Sequence, residues 1–304
     1  MDMKTYEIVK NYRNNPTLRK SFNGLAKATF DLDFEDWYQN GYWGDLYNPY
    51  SVVIGDEVVA NVSVNLMDFT VLQGGQDGIS SVSESGIKHY IQLGTVMTKK
   101  TYRNKGLIRE IMREIEKDYG KETDGIFLFA NDSVLDFYPK FGFRKAAEYQ
   151  YEKEVTINGV RTIKQIRMKE RQDFRVLEKA IEKSAPYSRF DAVHKKELIL
   201  FYVTKFMQEN VFYDKEEEAY VIAETEGDCL FLHAIFSENP VQLDRIIEDF
   251  GREIRRVKLG FTPKETQGFR VSELREEDTT LFLKGNGFPD LETAKLMFPT
   301  LTHA

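Results

Sequence analysis

The sequence has few cysteines and no long apolar runs, and each scarcity excludes a class of protein. Cys229 is the only cysteine among 304 residues, so no disulfide can form within the chain, as is usual in a reducing compartment. No apolar run reaches the ~18 residues of a membrane span. The N-terminal MDMKTYEIVKNYRNN lacks the apolar stretch of a signal peptide. We therefore expect a cytoplasmic protein that does not enter a membrane.

Histidine is scarce, and positive charge is in deficit. None of the four histidines is spaced with another histidine or with the cysteine as metal ligands are, so the sequence predicts no metal site. The formal net charge of −7 argues against a non-specific nucleic-acid binder. The acidic balance favours a cationic small substrate such as an amine, although it also serves solubility alone.

The length is sufficient for two domains of about 150 residues each. We place the boundary between residues 1–155 and 156–304, inside a predicted hairpin whose turn is Asn158-Gly159. The second half repeats the element order of the first, with helices, three strands, a helix and a strand. A duplicated fold is one interpretation of this order, and an unrelated α+β domain is the alternative.

Apolar periodicity and turn residues place the main elements. They predict helices over residues 3–31, with a break at Pro16, and over 171–184, 191–209 and 240–251. They predict strands over residues 51–54, 58–64, 90–98, 125–130, 149–157, 160–168, 211–214, 218–225, 229–236 and 257–261. Residues 73–85 are rich in glycine, serine and aspartate, a composition typical of a flexible loop.

The most informative segment joins a strand to a helix through a basic glycine turn. Tyr90–Thr98 reads as the strand, and Gly106 opens a helix whose apolar side chains share one face. Such a junction leaves backbone N–H groups free at the helix start, and with Arg103 and Lys105 it is typical of a phosphate site. The turn has neither the G-K-S/T of a P-loop nor the G-x-G-x-x-G of a dinucleotide fold.

This turn and the segment after it resemble one family. Arg103-Asn104-Lys105-Gly106-Leu107-Ile108 resembles the R/Q-x-x-G-x-G/A pyrophosphate turn of GNAT acetyltransferases. Asn131, Phe137-Tyr138 and Phe141-Gly142-Phe143 then match the family's N-x-x-x-x-x-F/L-Y-x-x-x-G-F signature in order and spacing. Ile108 departs from the pattern, because the family usually has Gly or Ala there. Cofactor affinity is the property that this departure would affect.

The resemblance implies an α+β fold with a mixed sheet, the GNAT acyl-CoA N-acyltransferase fold, in residues 1–155. It implies an N-acetyltransferase that transfers the acetyl group of acetyl-CoA to a primary amine of a small molecule or peptide. Its implied cofactor-binding residues are Val96, Thr98, Arg103, Asn104, Lys105, Gly106, Leu107, Ile108 and Asn131. Tyr138 would be the general acid that protonates the departing thiolate of coenzyme A.

The second half would be a degenerate GNAT-like domain without a cofactor site of its own. The turn before its later helix reads Ser237-Glu238-Asn239-Pro240, which has no glycine and carries an acid where phosphate needs positive charge. The sequence permits a homodimer and does not identify the acceptor. A non-catalytic acyl-CoA-binding sensor is the alternative function.

The general base is not visible in the sequence. Glu84, His89 and Asp68 lie near the strand before the turn, and a chain of waters could also carry the proton. RNKGLIRE loosely resembles chains of the enhanced-intracellular-survival type, which direct a terminal carboxylate into the active site. On that resemblance, the carboxylate of Ala304, or His303, would reach the acceptor site. The aromatic stretch from Trp37 to Tyr50 would either hold a cationic amine or form core.

Overall fold

The computed structural model describes residues 6–72, 86–193 and 195–303. The predicted loop at 73–85 lies outside these ranges. The strands are β1 (Glu7–Lys10), β2 (Tyr47–Ile54), β3 (Glu57–Val71), β4 (Ile87–Thr98), β5 (Gly125–Ala130), β6 (Arg144–Lys145), β7 (Tyr149–Glu154), β8 (Lys164–Ile166), β9 (Phe190–Val193), β10 (Val211–Asp214), β11 (Ala219–Glu226), β12 (Cys229–Phe236), β13 (Arg256–Leu259), β14 (Arg270–Glu273) and β15 (Thr280–Lys284). The α-helices are α1 (Pro16–Phe30), α2 (Glu35–Gln39), α3 (Leu107–Tyr119), α4 (Arg171–Lys183), α5 (Lys196–Lys205), α6 (Leu243–Asp249) and α7 (Leu291–Ala294). No helix within the described ranges is long and apolar enough to cross a membrane.

Two mixed sheets organise these elements, and the α+β prediction is confirmed. The first sheet has the order β1-β2-β3-β4-β5-β15-β6, with β9 paired to β3. The second has the order β14-β7-β13-β12-β11-β10-β8. Each sheet contains one parallel pair of neighbours, β4 with β5 and β12 with β13. The second half therefore repeats the mixed-sheet plan of the first.

Each sheet draws strands from both sides of residue 155. β15 lies between β5 and β6 of the first sheet, and β7 lies between β13 and β14 of the second. The two halves are thus joined by backbone hydrogen bonds as well as by side-chain packing. The division into residues 1–155 and 156–304 stays a prediction.

The N-terminal segment corrects one sequence prediction. Residues 7–10 form a strand that pairs with β2, whereas the sequence predicts helix over 3–31 with a break at Pro16. Pro16 is the first residue of α1 rather than a break, and the Asn15 side chain accepts hydrogen bonds from the N–H groups of Thr17 and Leu18. Proline suits this place because the N–H that it lacks would have no partner in the helix.

The predicted hairpin around Asn158-Gly159 is wrong. β7 pairs with β13 and β14, while β8 pairs with β10, so the two strands are not partners. The carbonyl of Gly159 accepts from the N–H of Arg252 at 2.8 Å, and the guanidinium of Arg161 lies 4.9 Å from the ring centre of Phe212. Contacts with the rest of the second half therefore hold the turn in another arrangement.

The predicted helix over 191–209 is also corrected. Its first residues form β9, which pairs with β3, and α5 begins only at Lys196. Phe190 of β9 stacks on Phe69 with ring centres 4.7 Å apart. Phe298, near the C-terminus, stacks on Phe127 in the same buried cluster at 4.4 Å. Each fully buried phenylalanine contributes about 1.5–3 kcal/mol, so the second half supplies part of the first sheet's core.

Candidate active site

The two parallel strands of the first sheet part in the middle. β4 and β5 pair only from Tyr90–Gly125 to Gln92–Phe127. Three residues further on, β4 has Thr95 and Val96 where β3 has the single residue Val62, which defines a β-bulge. The bulge turns β4 away from β5, so within the described ranges no strand pairs with residues 93–98 on that side.

The helix that follows β4 begins without a cap. Gly106 precedes α3 with φ of +77°, a conformation that favours glycine, and no side chain of the described residues accepts from the first N–H groups of the helix. A Cβ on Gly106 would meet no atom within 4 Å, so the space in front of the helix is open. Arg103 and Lys105 flank this opening and are exposed. Free N–H groups, the helix dipole and two cations together favour a phosphate.

One cavity of about 1010 Å³ joins the parted strands to the helix start. Its wall includes the general-acid candidate Tyr138 and every cofactor-binding residue that the resemblance implies: Val96, Thr98, residues 103–108 and Asn131. Ile108 is half-buried and packs against the core beneath α3. The structure therefore brings the motif residues to one place, including the residue that departs from the family pattern.

Tyr138 is buried in the wall of this cavity. Its ring contacts the rings of Phe137, Phe143 and Phe282, with centres 5.4, 6.1 and 5.6 Å away. Burial raises the pKa of Tyr138 to about 12. Among the described residues, none hydrogen-bonds the Tyr138 hydroxyl. The phenol is therefore protonated at neutral pH, with its proton free for a molecule in the cavity.

Asn131 is held by the second half of the chain. Its amide nitrogen donates to a carboxylate oxygen of Asp278 at 2.8 Å, and the other carboxylate oxygen accepts from the N–H of Asp132 at 2.7 Å. Asp278 itself lines the cavity. One amide hydrogen of Asn131 is therefore already used, and its side chain is fixed beside the parted strands.

The opposite end of the cavity is aromatic. Phe34, Trp37, Tyr47 and Phe201 line it, and all except Phe201 belong to a buried cluster beneath α1. Phe34 stacks on Phe201 of α5 with ring centres 5.3 Å apart. The aromatic stretch thus forms core and also lines the cavity, and its binding of a cationic amine stays a prediction. Exposed rings of Phe30 and Phe206 stand at the rim.

Glu197 brings a carboxylate to this aromatic end. It lies in the first turn of α5, where its backbone carbonyl accepts from the indole N–H of Trp37 at 2.9 Å. Its side chain runs past Gly44, with Cγ 3.6 Å from the position of a Cβ on that glycine. Within the described part of the chain, the Glu197 carboxylate has neither an ion-pair partner nor a hydrogen bond. By contrast, Lys195 nearby is neutralised by the buried carboxylate of Asp191 at 2.5 Å.

The base candidates named from the sequence are scattered. His89 lies 2.7 Å from Asp68 on the surface, and neither residue lines the cavity. Glu84 and Ala304 lie outside the described residues. His303 does line the cavity, where its ring stacks on Phe129 with centres 3.7 Å apart. Burial lowers the pKa of His303 to about 3, so this imidazole is neutral at physiological pH.

The corresponding gap in the second sheet is filled by the chain itself. β12 and β13 stay paired up to Leu232–Leu259. Beyond that pair, the N–H of Thr300 donates to the carbonyl of Gly260 at 2.8 Å, and the Thr300 hydroxyl lies 3.1 Å from Nδ1 of His233. A Cβ on Gly260 would lie only 2.4 Å from that hydroxyl oxygen. In the second sheet, the C-terminal segment thus occupies the position equivalent to the one that is open between β4 and β5 of the first sheet.

Sequence reasoning missed the residues that the second half contributes to the cavity. Glu197, Phe201, Tyr202 and Asp278 all line it. No motif marks them, because they reach the cavity through contacts with residues more than 100 positions away in the chain.

Parted parallel strands beside a bulge, followed by an uncapped helix, define the acyl-CoA N-acyltransferase fold. Residues 13–143 match the family model described as the acetyltransferase (GNAT) family. The family model therefore covers the turn and the segment after it, and the resemblance to GNAT acetyltransferases that the motif predicted is confirmed. Among curated proteins, none matches the sequence.

Solved structures extend the likeness to nearly the whole chain. A probable N-acyltransferase of unknown function from Enterococcus faecalis V583 is similar with a TM-score of 0.60 and 14% identity, over 92% of this chain and 72% of the other. Eis1 from Mycobacterium abscessus gives 0.54 and 13%, over 91% and 72%. A GCN5-related N-acetyltransferase from Kribbella flavida gives 0.53 and 15%, over 92% and 71%. At these identities the likeness concerns the fold.

Proposed function

We propose that this protein transfers the acetyl group of acetyl-CoA to a primary amine. The observation that carries the proposal is the single cavity, which joins the uncapped start of α3, the bulge of β4 and the Tyr138 hydroxyl. When bound, acetyl-CoA would supply an acetyl group that is activated as a thioester. The residues of the chain would hold it, exclude water and supply or receive protons.

The residues present fit the cofactor. The open N–H groups before α3, with Arg103 and Lys105, would bind the pyrophosphate. The unpaired backbone of β4 would bind the pantetheine arm, which carries amides of its own, through the N–H groups of Val96 and Thr98. An arm bound in this way replaces the missing partner strand between β4 and β5, so it satisfies the backbone groups that the bulge leaves open.

Tyr138 would act as the general acid. Its pKa lies above neutral pH because the hydroxyl is buried, so the phenol holds a proton that the departing thiolate can take. No described residue accepts a hydrogen bond from the Tyr138 hydroxyl, so that proton is not already committed within the described part of the protein. The surrounding phenylalanine rings keep the ring in one orientation.

The acceptor would enter at the aromatic end. A primary amine is cationic in water. The Glu197 carboxylate makes no hydrogen bond or close ion pair within the described residues, although it helps to raise the pKa of Lys196. It is placed among aromatic rings that also attract cations. Glu197 would bind an ammonium group of the acceptor there. The second half would therefore shape the acceptor pocket. It would not bind a second cofactor, because Thr300 fills the gap that follows β12 and β13 in the second sheet.

The test measures release of coenzyme A from acetyl-CoA in the presence of a panel of amines. Tyr138→Phe should lower kcat by roughly 10²- to 10⁴-fold, as loss of a general acid does, while calorimetry shows unchanged binding of acetyl-CoA. Tyr149→Phe is the matched control, because Tyr149 is as buried and lies in β7 away from the cavity. If the wild type binds acetyl-CoA and no amine raises the release of coenzyme A, the acetyltransferase hypothesis fails. The alternative, a non-catalytic acyl-CoA-binding sensor, is then favoured.

Glu197→Gln tests the acceptor end in the same assay. Loss of a charged hydrogen bond worth about 1.5–3 kcal/mol should raise KM for a cationic amine roughly 10- to 100-fold, with KM for acetyl-CoA unchanged. Glu209→Gln, an exposed residue beyond α5, is the control. Equal KM values in the wild type and Glu197→Gln would remove Glu197 from the acceptor site.

A further inference from the structure

A ring of three hydroxyl groups lies beneath the β-bulge of β4. The Thr95 hydroxyl donates to Oγ of Ser63 at 2.9 Å, Ser63 donates to the hydroxyl of Tyr47 at 2.8 Å, and Tyr47 lies 2.7 Å from the Thr95 hydroxyl. Each group can therefore donate one hydrogen bond and accept one within a closed cycle. The ring ties β4 to β3 and β2 at the point where β4 leaves the regular ladder.

An amide extends the ring to the backbone. The side chain of Asn61 donates both to Oγ of Ser63 and to the carbonyl of Thr95, at 2.9 Å each. Asn61 is itself held by Ser51, whose hydroxyl donates to its amide oxygen at 2.8 Å. Asn61, Ser51 and Ser63 have no exposed surface. These three side chains are therefore shielded from water, whereas Thr95 is half-buried and lines the cavity together with Tyr47. Hydrogen bonds in a connected, buried network strengthen one another.

The network holds Thr95 in an unfavourable backbone conformation. Thr95 has φ of +46°, in the left-handed region, which a β-branched residue rarely adopts. Such a conformation persists only where the surroundings over-determine it. Two groups of Thr95 are held by hydrogen bonds that can maintain this conformation. Its hydroxyl is bound by Ser63 and Tyr47, and its carbonyl accepts from Asn61.

The bond from Asn61 also sets the direction of a neighbouring N–H group. The carbonyl of Thr95 and the N–H of Val96 belong to one planar trans peptide, in which they point in opposite directions. Because Asn61 fixes the carbonyl, the N–H of Val96 must point away from Asn61. Val96 shares Val62 of β3 with Thr95 at the bulge, so it has no partner of its own in the ladder, and it lines the cavity.

We propose that Thr95 is a positioning residue, and that its hydroxyl ring with Tyr47 and Ser63 aims the Val96 N–H at the carbonyl of the bound acyl group. This inference rests on the proposed function, since it assumes that an acyl thioester binds along β4. Loss of the ring would let Thr95 relax toward an ordinary strand conformation and rotate the peptide. The phosphate end at Gly106 would be unaffected.

The experiment compares Thr95→Val, which keeps the shape and loses the hydroxyl, with Thr95→Ser, which keeps the hydroxyl. Tyr47→Phe opens the ring without altering residue 95, so it gives a second reading if Thr95→Val does not fold. We expect Thr95→Val and Tyr47→Phe to lower kcat roughly 10- to 100-fold. This loss is no larger than the roughly 10²- to 10³-fold loss seen when one oxyanion donor is removed, because the N–H group is misdirected rather than deleted. Thr95→Ser should retain kcat near the wild-type value. The double variant should lose little more than either single one, because both break the same ring.

A binding measurement separates this inference from the proposed function. Acetyl-CoA should bind the wild type about fivefold more tightly than CoA, the effect of one neutral hydrogen bond, and Thr95→Val should abolish that ratio while its affinity for CoA is retained. This readout does not need an acceptor amine, so it holds even if no turnover is found. A ratio that is the same in the wild type and Thr95→Val, or equal damage in Thr95→Ser and Thr95→Val, would overturn the role of the hydroxyl.

Discussion

The start of α3 allows a substitution that separates cofactor binding from folding. Replacing Gly106 by glutamate places a carboxylate at the uncapped helix start. A Cβ on Gly106 meets no atom within 4 Å, so the substitution creates no clash. The cost to folding is therefore the left-handed backbone alone, about 1–2 kcal/mol for a residue other than glycine.

The cost to binding should be larger. The carboxylate repels the pyrophosphate and lies in front of the N–H groups that would bind it. If two charge-assisted hydrogen bonds are lost, each worth about 1.5–3 kcal/mol, the free energy of binding falls by about 3–6 kcal/mol. The dissociation constant for acetyl-CoA should then rise by roughly 10²- to 10⁴-fold, measured by titration calorimetry.

Gly55 provides the matched control for this substitution. It has φ of +63° in the turn between β2 and β3, a Cβ there also meets nothing within 4 Å, and the residue does not line the cavity. Gly55→Glu should therefore lose as much stability as Gly106→Glu and bind acetyl-CoA like the wild type. Wild-type affinity in Gly106→Glu, or equal weakening in Gly55→Glu, would refute the assignment of the phosphate site. Two binding sites per chain would contradict the filled gap in the second half.

Two further substitutions test buried polar groups. Gln92 is fully buried, and neither of its amide atoms has a partner among the described residues. Gln92→Met should therefore raise the free energy of unfolding by about 1–3 kcal/mol in denaturant titrations, and a loss of stability would show that the amide is satisfied. Burial raises the pKa of Glu148 to about 8, above the ~4.3 of an unfolded chain, so the folded chain keeps a proton that the unfolded chain loses. Stability then falls as pH rises from about 4.5 to 8. In Glu148→Gln the side chain does not titrate and can still accept from the N–H of Phe298. The melting temperature of Glu148→Gln should therefore rise relative to that of the wild type between pH 5 and pH 8. A difference in melting temperature that stays constant over this range would contradict the burial argument.

The cofactor end of the cavity could be predicted because one continuous segment builds it. β4, the glycine turn and α3 follow each other in the chain, and their apolar spacing and turn residues are local signals. β5 was predicted with the bounds that the structure shows, and so were β10 and β12. In each case the period of the apolar residues decides the element before any distant contact is made.

The remaining features depend on partners that the local sequence does not name. Asn158-Gly159 is a strong turn signal, but turn chemistry does not decide whether the flanking strands pair with each other, and here β13 and β10 take them. β15 enters the first sheet between β5 and β6 from more than 100 residues away. The wall residues Glu197 and Asp278 follow from that topology, so a reading of local patterns could not find them.

The same topology makes the two ends of the cavity dependent on one another. Trp37 of the first half donates to the backbone of Glu197 across 160 positions, and Asn131 donates to Asp278 across 147. β15 forms the outer neighbour of β5, the strand that must stay parted from β4 for the acyl arm to enter. The cofactor end is built by local sequence and the acceptor end by long-range contacts, and both ends therefore depend on the position of β5. A change in the second half that displaces β15 would move β5, and with it the walls at both ends of the cavity.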